Sequence, residues 1–266
     1  MIQKNINRIL DLILKTEQMN VPSHGWFYYN NVILPLIRKG LVFKNKIKVK
    51  GNFIYSEGKG GVGFLNVVDA LNVSSEIARK EGVAITIFKN CGKVGALRIY
   101  CQDIMNRGQL IILMKNTAPN TGITKPIIGT NPICIGLPDT KFIADLSTST
   151  VATNKCRRST KHFKDYIGMY KGKKTKDGLE ALKGYLLPFS HESYIHKSFM
   201  LGVCVEAIAG MAGGNISHNV GKGKGNRWYS KEGMVGIIMD KKMFPEYKKY
   251  QKQIKKFLIE VENETR

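Results

Sequence analysis

Several short stretches of this chain hold side chains in arrangements that could do chemistry. Ser23-His24-Gly25 sets an imidazole between a hydroxyl and a flexible glycine at the start of a helical pattern. Histidine titrates near neutrality, so His24 is a credible acid or base. A helix-start histidine bonded for structure alone fits the same spacing. Asn116-Thr117-Ala118-Pro119 follows an apolar strand pattern, and Ile128-Gly129-Thr130-Asn131-Pro132 opens another. Ala144-Asp145-Leu146-Ser147-Thr148-Ser149 closes a strand in a cluster of hydroxyls. Further on come Ala181–Pro188, then His196-Lys197, then Val205–Gly210.

Glycine-rich stretches invite a phosphate-loop reading. Gly58-Lys59-Gly60-Gly61-Val62-Gly63 begins like a P-loop, but Phe64 and Leu65 stand where Lys and Ser/Thr would reach phosphates and Mg²⁺. It reads better as a glycine turn entering a helix at Asn66. Gly221–Gly225 precedes no helical pattern and reads as a flexible loop.

The elements that must position these residues follow from periodicity. Residues 2–20 and 27–38 read as helices. Val42–Tyr55 alternates around Gly51 as a strand or hairpin. Asn66–Glu81 carries an apolar stripe at Val67, Ala70, Leu71, Val73, Ile77 and Ala78, closed by Gly82. Val83–Phe88 is then a β-branched strand, Ala96–Arg107 a helix and Leu110–Met114 a buried strand. Pro119–Pro126 is a loop, and Pro132–Leu137 and Phe142–Leu146 are strands separated by a Pro-Asp-Thr turn. Arg157–Gly178 is basic and weakly patterned, and is expected to be a solvated connection. Ser198–Met211 reads as an apolar helix, Gly213–Ser230 as a mobile loop, Met234–Ile238 as a strand and Pro245–Val261 as a Lys-rich amphipathic helix. Alternation of strands and helices between residues 66 and 146 is an α/β signature. The expected division is an N-terminal helical region (1–50), an α/β core (51–240) and a C-terminal helix (241–266).

Composition narrows the function classes. The chain has 266 residues and 43% apolar residues, enough for a folded core. No unbroken apolar run of membrane-spanning length and no signal-peptide core is visible, so a cytoplasmic protein without membrane contact is expected. Cys91, Cys101, Cys134, Cys156 and Cys204 are scattered and set mostly in apolar runs, the pattern of reduced core thiols. No histidine–cysteine spacing fits a metal site, and none is expected. The net charge of +22 could attract a polyanion. Yet 33 of the 42 basic residues are Lys and only 9 are Arg, in scattered patches, whereas nucleic-acid surfaces lean on Arg. Nucleic acid is therefore not the expected partner.

Taken in order, Ser-His-Gly, Asn-Thr-Ala-Pro, Gly-Thr-Asn-Pro and Asp-Leu-Ser-Thr-Ser resemble the malate/L-lactate dehydrogenase family that does not use a Rossmann fold. The resemblance runs from about Ser23 to Val261 and is dense from Ile77 to Gly210. It implies a mixed-sheet α/β core of the malate/L-lactate dehydrogenase kind with flanking helices, a homodimer, and NADH or NADPH as cofactor. The absence of a strand–Gly-x-Gly-x-x-Gly–helix unit accords with that family. Reducing a C=O or C=N next to a carboxylate or its amide needs a hydride and a proton donor beside the accepting atom. The resemblance gives His24 the donor's role on a small-molecule substrate such as a 2-oxo acid or cyclic imine. It maps cofactor contacts to Asn116, Thr117, Gly129, Thr130, Asn131, Asp145, Leu146, Ser147, His196 and Lys197. Lys197 suits a phosphate and Asp145 a ribose or carboxamide donor. Asn131-Pro132 as a plain strand start and Lys197 as a solvated lysine remain open.

The chain departs from that pattern in the substrate region. Counting back from Gly108 puts Lys93 where the family carries a second histidine. Ser23 and Tyr28 are the candidate substrate-binding residues, with Tyr28 standing where an Arg would hold the substrate carboxylate, and Pro22 stands where an acidic residue often precedes Ser-His-Gly. Extra residues precede Lys197, and the family pattern continues past Arg266 with a segment that helps cover the site. Lys93 is therefore a candidate proton donor or carboxylate holder. Three classes stay open: a reductase with an altered substrate, a cofactor- or partner-binding relative without catalysis, and a basic nucleic-acid-associated protein.

Overall fold

Ten strands form two sheets in the computed structural model, which describes residues 2–190, 192–220 and 230–264. The large sheet comprises β1 (Lys46–Lys50), β2 (Phe53–Glu57), β3 (Val83–Lys89), β4 (Gln109–Lys115), β5 (Ile133–Gly136), β6 (Ile143–Leu146) and β10 (Met234–Asp240). Its order is β1-β2-β3-β10-β4-β5-β6, with β2 and β3 parallel and every other pair antiparallel. The small sheet is β7 (Gly168–Tyr170), β8 (Lys173–Thr175) and β9 (Tyr185–Leu186), in the order β8-β7-β9.

The main core lies between the sheet and the helices Phe64–Glu81 and Arg98–Met105. On the first, Val67, Ala70, Leu71, Ser74 and Ala78 recur at helical spacing and are buried. The strands answer with period two: Ala84, Thr86 and Phe88 on β3, and Gln109, Ile111, Leu113 and Lys115 on β4, are buried. Polar groups on this face pair across it, as Ser75 Oγ donates to Gln109 Oε1 at 2.6 Å. The N-terminal helix Ile2–Gln18 adds Ile9 and Ile13. Residues 26–38 form a second helical stretch whose middle, Tyr29–Ile33, is a π-helical turn. The turn at Gly51 (φ +55°) makes the expected hairpin of β1 and β2.

Helix Ile195–Gly213 covers the other side, packing against β3, β4 and β10. By length and composition alone it is long and apolar enough to cross a membrane, and 33% of its most apolar 18 residues are buried inside the protein. Four cysteines are buried, Cys204 is exposed, and all five are unpaired.

One expectation needs correcting. Arg157–Gly178 is not simply a solvated connection. It contains β7 and β8, which pair with β9 and, with helix Gly178–Lys183, enclose a separate small core of Cys156, Ile167, Ala181 and Leu186. The strands are too short to show a period, and the buried residues are spaced by the exposed turn at 171–172 and the exposed lysines that open β8. The expected mobile loop 213–230 falls partly outside the described residues, and Gly221–Gly225 wholly so. Within it Ser217–Val220 is a short helix.

Candidate active site

The antiparallel placement of β10 between β3 and β4 brings the ends of β3 and β4 beside the start of β10. The three connecting segments are stitched together by backbone bonds: Cys91 N donates to Glu232 O at 2.9 Å, and Asn116 N to Gly233 O at 3.2 Å. The glycine turn at 58–63 completes the junction. Lys93 N donates to Gly61 O at 2.7 Å, and Gly63 N to Lys93 O at 2.8 Å. Gly61 has φ +69°, and a Cβ there would lie 2.3 Å from Leu41 O. This turn is a packing element that sets the height of Lys93, in keeping with the absence of the P-loop's Lys and Ser/Thr. Gly233 must also be glycine, because a Cβ would meet Ala209 O at 1.9 Å.

A cleft of about 370 Å³ opens over this junction. His24, Tyr28, Lys93, Lys115, Arg157 and Glu232 line it, together with the hydroxyls of Thr117, Thr130 and Thr153. Ser23 Oγ lies 3.1 Å from His24 Nδ1, and the His24 and Tyr28 rings are tilted with centroids 5.4 Å apart. Loss of solvation pushes the His24 imidazole down to about 4, so it is neutral at physiological pH. Burial raises the Tyr28 phenol far above its usual range, with the Glu232 charge adding to the effect, so it stays protonated.

The charged floor of the cleft is shared by three segments. Lys93 Nζ is 2.6 Å from Glu232 Oε1, and Lys115 Nζ is hydrogen-bonded to Glu232 Oε2. Burial opposes ionisation of Glu232, but Lys115 and Lys93 overcome it and hold the carboxyl down at about 2. Two ammoniums around one carboxylate offset a desolvation cost of roughly several kcal/mol per ion. Arg157 approaches from helix Thr153–Arg158, its guanidinium 3.1 Å from Asn154 Oδ1.

A neighbouring cavity of about 550 Å³ is lined by Ser23, Arg98, Asp145, Lys155 and Arg158, among others. Burial raises the Asp145 carboxyl, and the Arg98 charge partly offsets that. Arg98 Nε is buried without a hydrogen-bond partner.

The residues expected to contact a cofactor divide into groups. Thr117 and Thr130 line the cleft, with Thr130 N donating to Thr117 Oγ1 at 3.0 Å, and Asp145 lines the neighbouring cavity. Asn116 and Asn131 are fully buried and serve the frame. Both amides donate to the buried Glu206 carboxylate, at 3.1 and 2.7 Å, which also accepts from the Ser217 backbone N at 2.6 Å and from its hydroxyl. Gly129 N donates to Ser217 Oγ at 3.1 Å. Ser147 Oγ is 2.5 Å from Ser149 Oγ, and Leu146 is exposed. His196 and Lys197 are exposed at a helix start and line neither cavity, with Lys197 Nζ lying 4.8 Å from the Tyr194 ring centroid. Sequence reasoning missed Lys115, Glu232 and Arg157. A lysine that continues the buried alternation of β4 was the available signal for the first.

Comparison with known proteins agrees with this architecture. L-sulfolactate dehydrogenase of Methanocaldococcus jannaschii is 26% identical over 266 residues, covering 95% of this chain and 76% of that protein. That of Methanothermobacter thermautotrophicus is 29% identical over 171 residues, 61% of this chain, so the match spans about half (47%) of that relative. Delta(1)-pyrroline-2-carboxylate reductase of Agrobacterium fabrum is 30% identical over 58% of this chain and 47% of its own length. The crystal structure of malate dehydrogenase from Entamoeba histolytica superposes with a TM-score of 0.83 over 92% of this chain and 74% of that one, at 23% identity, which shows the shared fold. With the family model for malate/L-lactate dehydrogenase matching residues 2–266, the chain belongs to that family of oxidoreductases.

Proposed function

We propose that this protein is an NAD(P)H-dependent reductase acting on a C=O or C=N next to a carboxylate or its amide. One observation carries the reading: a desolvated, Ser23-bonded His24 faces the same cleft as the fixed ammonium of Lys93. A proton-exchanging group and an anion-holding group at one cavity are what reduction of such a substrate needs. Relatives named as sulfolactate dehydrogenase and pyrroline-carboxylate reductase act on C–O and C=N bonds beside a carboxylate, which supports the same class.

The residues present fit a nicotinamide cofactor. Arg98, Lys155 and Arg158 offer cations to phosphate, and the unpartnered Arg98 Nε is a donor awaiting an acceptor. Thr117, Thr130 and Asp145 offer polar contacts, while Asn116, Gly129 and Asn131 shape the backbone beside them. Leu146, Ser147, His196 and Lys197 are assigned by resemblance alone. When bound, the reduced nicotinamide supplies the hydride. The chain itself binds the substrate carboxylate at Lys93 and passes the proton at His24, with Tyr28 closing the wall beside the imidazole. In the reverse direction neutral His24 accepts the hydroxyl proton.

A panel of 2-oxo acids, 2-oxo dicarboxylates and cyclic imino acids, followed by absorbance of NADH or NADPH, tests this reading. At least one should be turned over by the wild type. No turnover on any, with cofactor binding intact, would leave a cofactor-binding relative without catalysis.

A further inference from the structure

The floor of the cleft carries more charge than holding one carboxylate strictly requires. Lys93 is the exposed end of the group, its side chain 32% accessible, while Lys115 and Glu232 are 5% and 1% accessible. One carboxylate between two ammoniums leaves one positive charge in surplus. A lone Lys93–Glu232 pair would be neutral, and an incoming anion would have to strip Lys93 from Glu232. With Lys115 beneath, Glu232 keeps a buried counter-ion while Lys93 turns to a ligand, so the surplus charge is presented where the cleft is open. Backbone bonds from Lys93 to Gly61 and from Cys91 to Glu232 hold the two ends of this chain of charges in place.

We propose that Lys115 and Glu232 are positioning residues that make Lys93 a fixed anion receptor: Lys115 sets its net charge and Glu232 its place. That the anion is the substrate's carboxylate rests on the reductase reading; the receptor itself does not. Lys115 and Glu232 act through Lys93 and need not touch the ligand.

The test is calorimetric titration of the cofactor-free protein with oxalate and malonate, using wild type, Lys115→Met, Lys115→Arg and Glu232→Gln. Wild type should bind, Lys115→Met should bind about tenfold more weakly or worse, and Lys115→Arg should recover most of the loss, the scale of a charge-assisted contact. In turnover the Lys115→Met loss should fall on KM rather than kcat. Glu232→Gln, which keeps both cations but frees Lys93 from its place, should likewise weaken both anions and raise KM with a smaller change in kcat. A purely structural Lys115 would lower the melting temperature and leave the affinity of the folded protein unchanged, which overturns the proposal. So would a wild type that binds neither anion. If Lys115→Met does not fold, Lys115→Met with Glu232→Met removes both buried charges together. Lys93 then keeps its charge without its anchor, and affinity should still fall by about tenfold; unchanged affinity refutes the idea. Anion binding as expected in a protein that binds no nicotinamide would sink the reductase reading and leave the receptor standing.

Discussion

The hydroxyl of Ser23 stands 3.1 Å from Nδ1 of His24, so one imidazole nitrogen is engaged within the protein and the other is left for a ligand in the cleft. That contact holds the ring's orientation through a neighbour in sequence, which is why both residues matter together.

His24→Ala should reduce turnover by about 10²-fold or more, the scale of losing a positioned general acid or base. Affinity for NADH or NADPH should be unaltered. Ser23→Ala should do the same to a smaller extent. Steady-state kinetics with cofactor binding measured separately distinguish this outcome from a general loss of fold.

The pH dependence has a definite sign. His24 titrates at about 4 in the folded protein against an ordinary value of 6.5. Oxidation of a hydroxy acid needs neutral His24, so kcat/KM in that direction should rise through about pH 4 and stay level towards neutrality. Reduction needs protonated His24, and its kcat/KM should fall as pH rises above about 4. Between these pH values the unfolded chain binds the extra proton and the folded one does not, so His24 makes stability decline as pH drops from 6.5 towards 4. A reduction profile that is level from pH 5 to 8 would move the proton donor elsewhere.

Lys93→Ala should chiefly raise the KM for the carboxylate substrate, by about tenfold or more, with a smaller change in kcat. The reverse pattern, a lost kcat at constant KM, would assign proton transfer rather than carboxylate binding to this lysine.

Glu206→Ala should destabilise the protein strongly. It would leave the amides of Asn116 and Asn131 and both donors of Ser217 without their buried acceptor. Each unsatisfied buried group costs about 1–3 kcal/mol, so a loss of several kcal/mol in urea denaturation is expected. A change below about 1 kcal/mol would show that water replaces the carboxylate.

Much of this fold could be read from local pattern. The stripe from Val67 to Ala78 and the alternation on β3 and β4 are strong because each element buries one face. The glycine turns at Gly51 and Gly82 are legible for a similar reason, since positive φ there favours residues without a side chain. The central position of β10 was not legible, because its pairing with β3 and β4 joins residues far apart in the chain. The same topology hid the floor of the cleft: Lys115 and Glu232 are 117 residues apart and meet only through that strand order. His24 was visible because Ser-His-Gly is contiguous. Arg157 was not, lying in a basic stretch whose short strands carry no period. Asn116 and Asn131 were found by motif, but their partner Glu206 lies on a helix where one acid among apolar residues gives no sign of whom it meets.

Titration of the purified protein with NADH and NADPH, read by energy transfer from tryptophan to the reduced nicotinamide and by thermal shift, is the most direct test of nicotinamide-dependent function. Saturable binding with a Kd of about 1 mM or tighter is expected for at least one of the two, weakened by Asp145→Ala and by Arg98→Ala. Absence of both energy transfer and thermal shift with either cofactor at several times that concentration would contradict it.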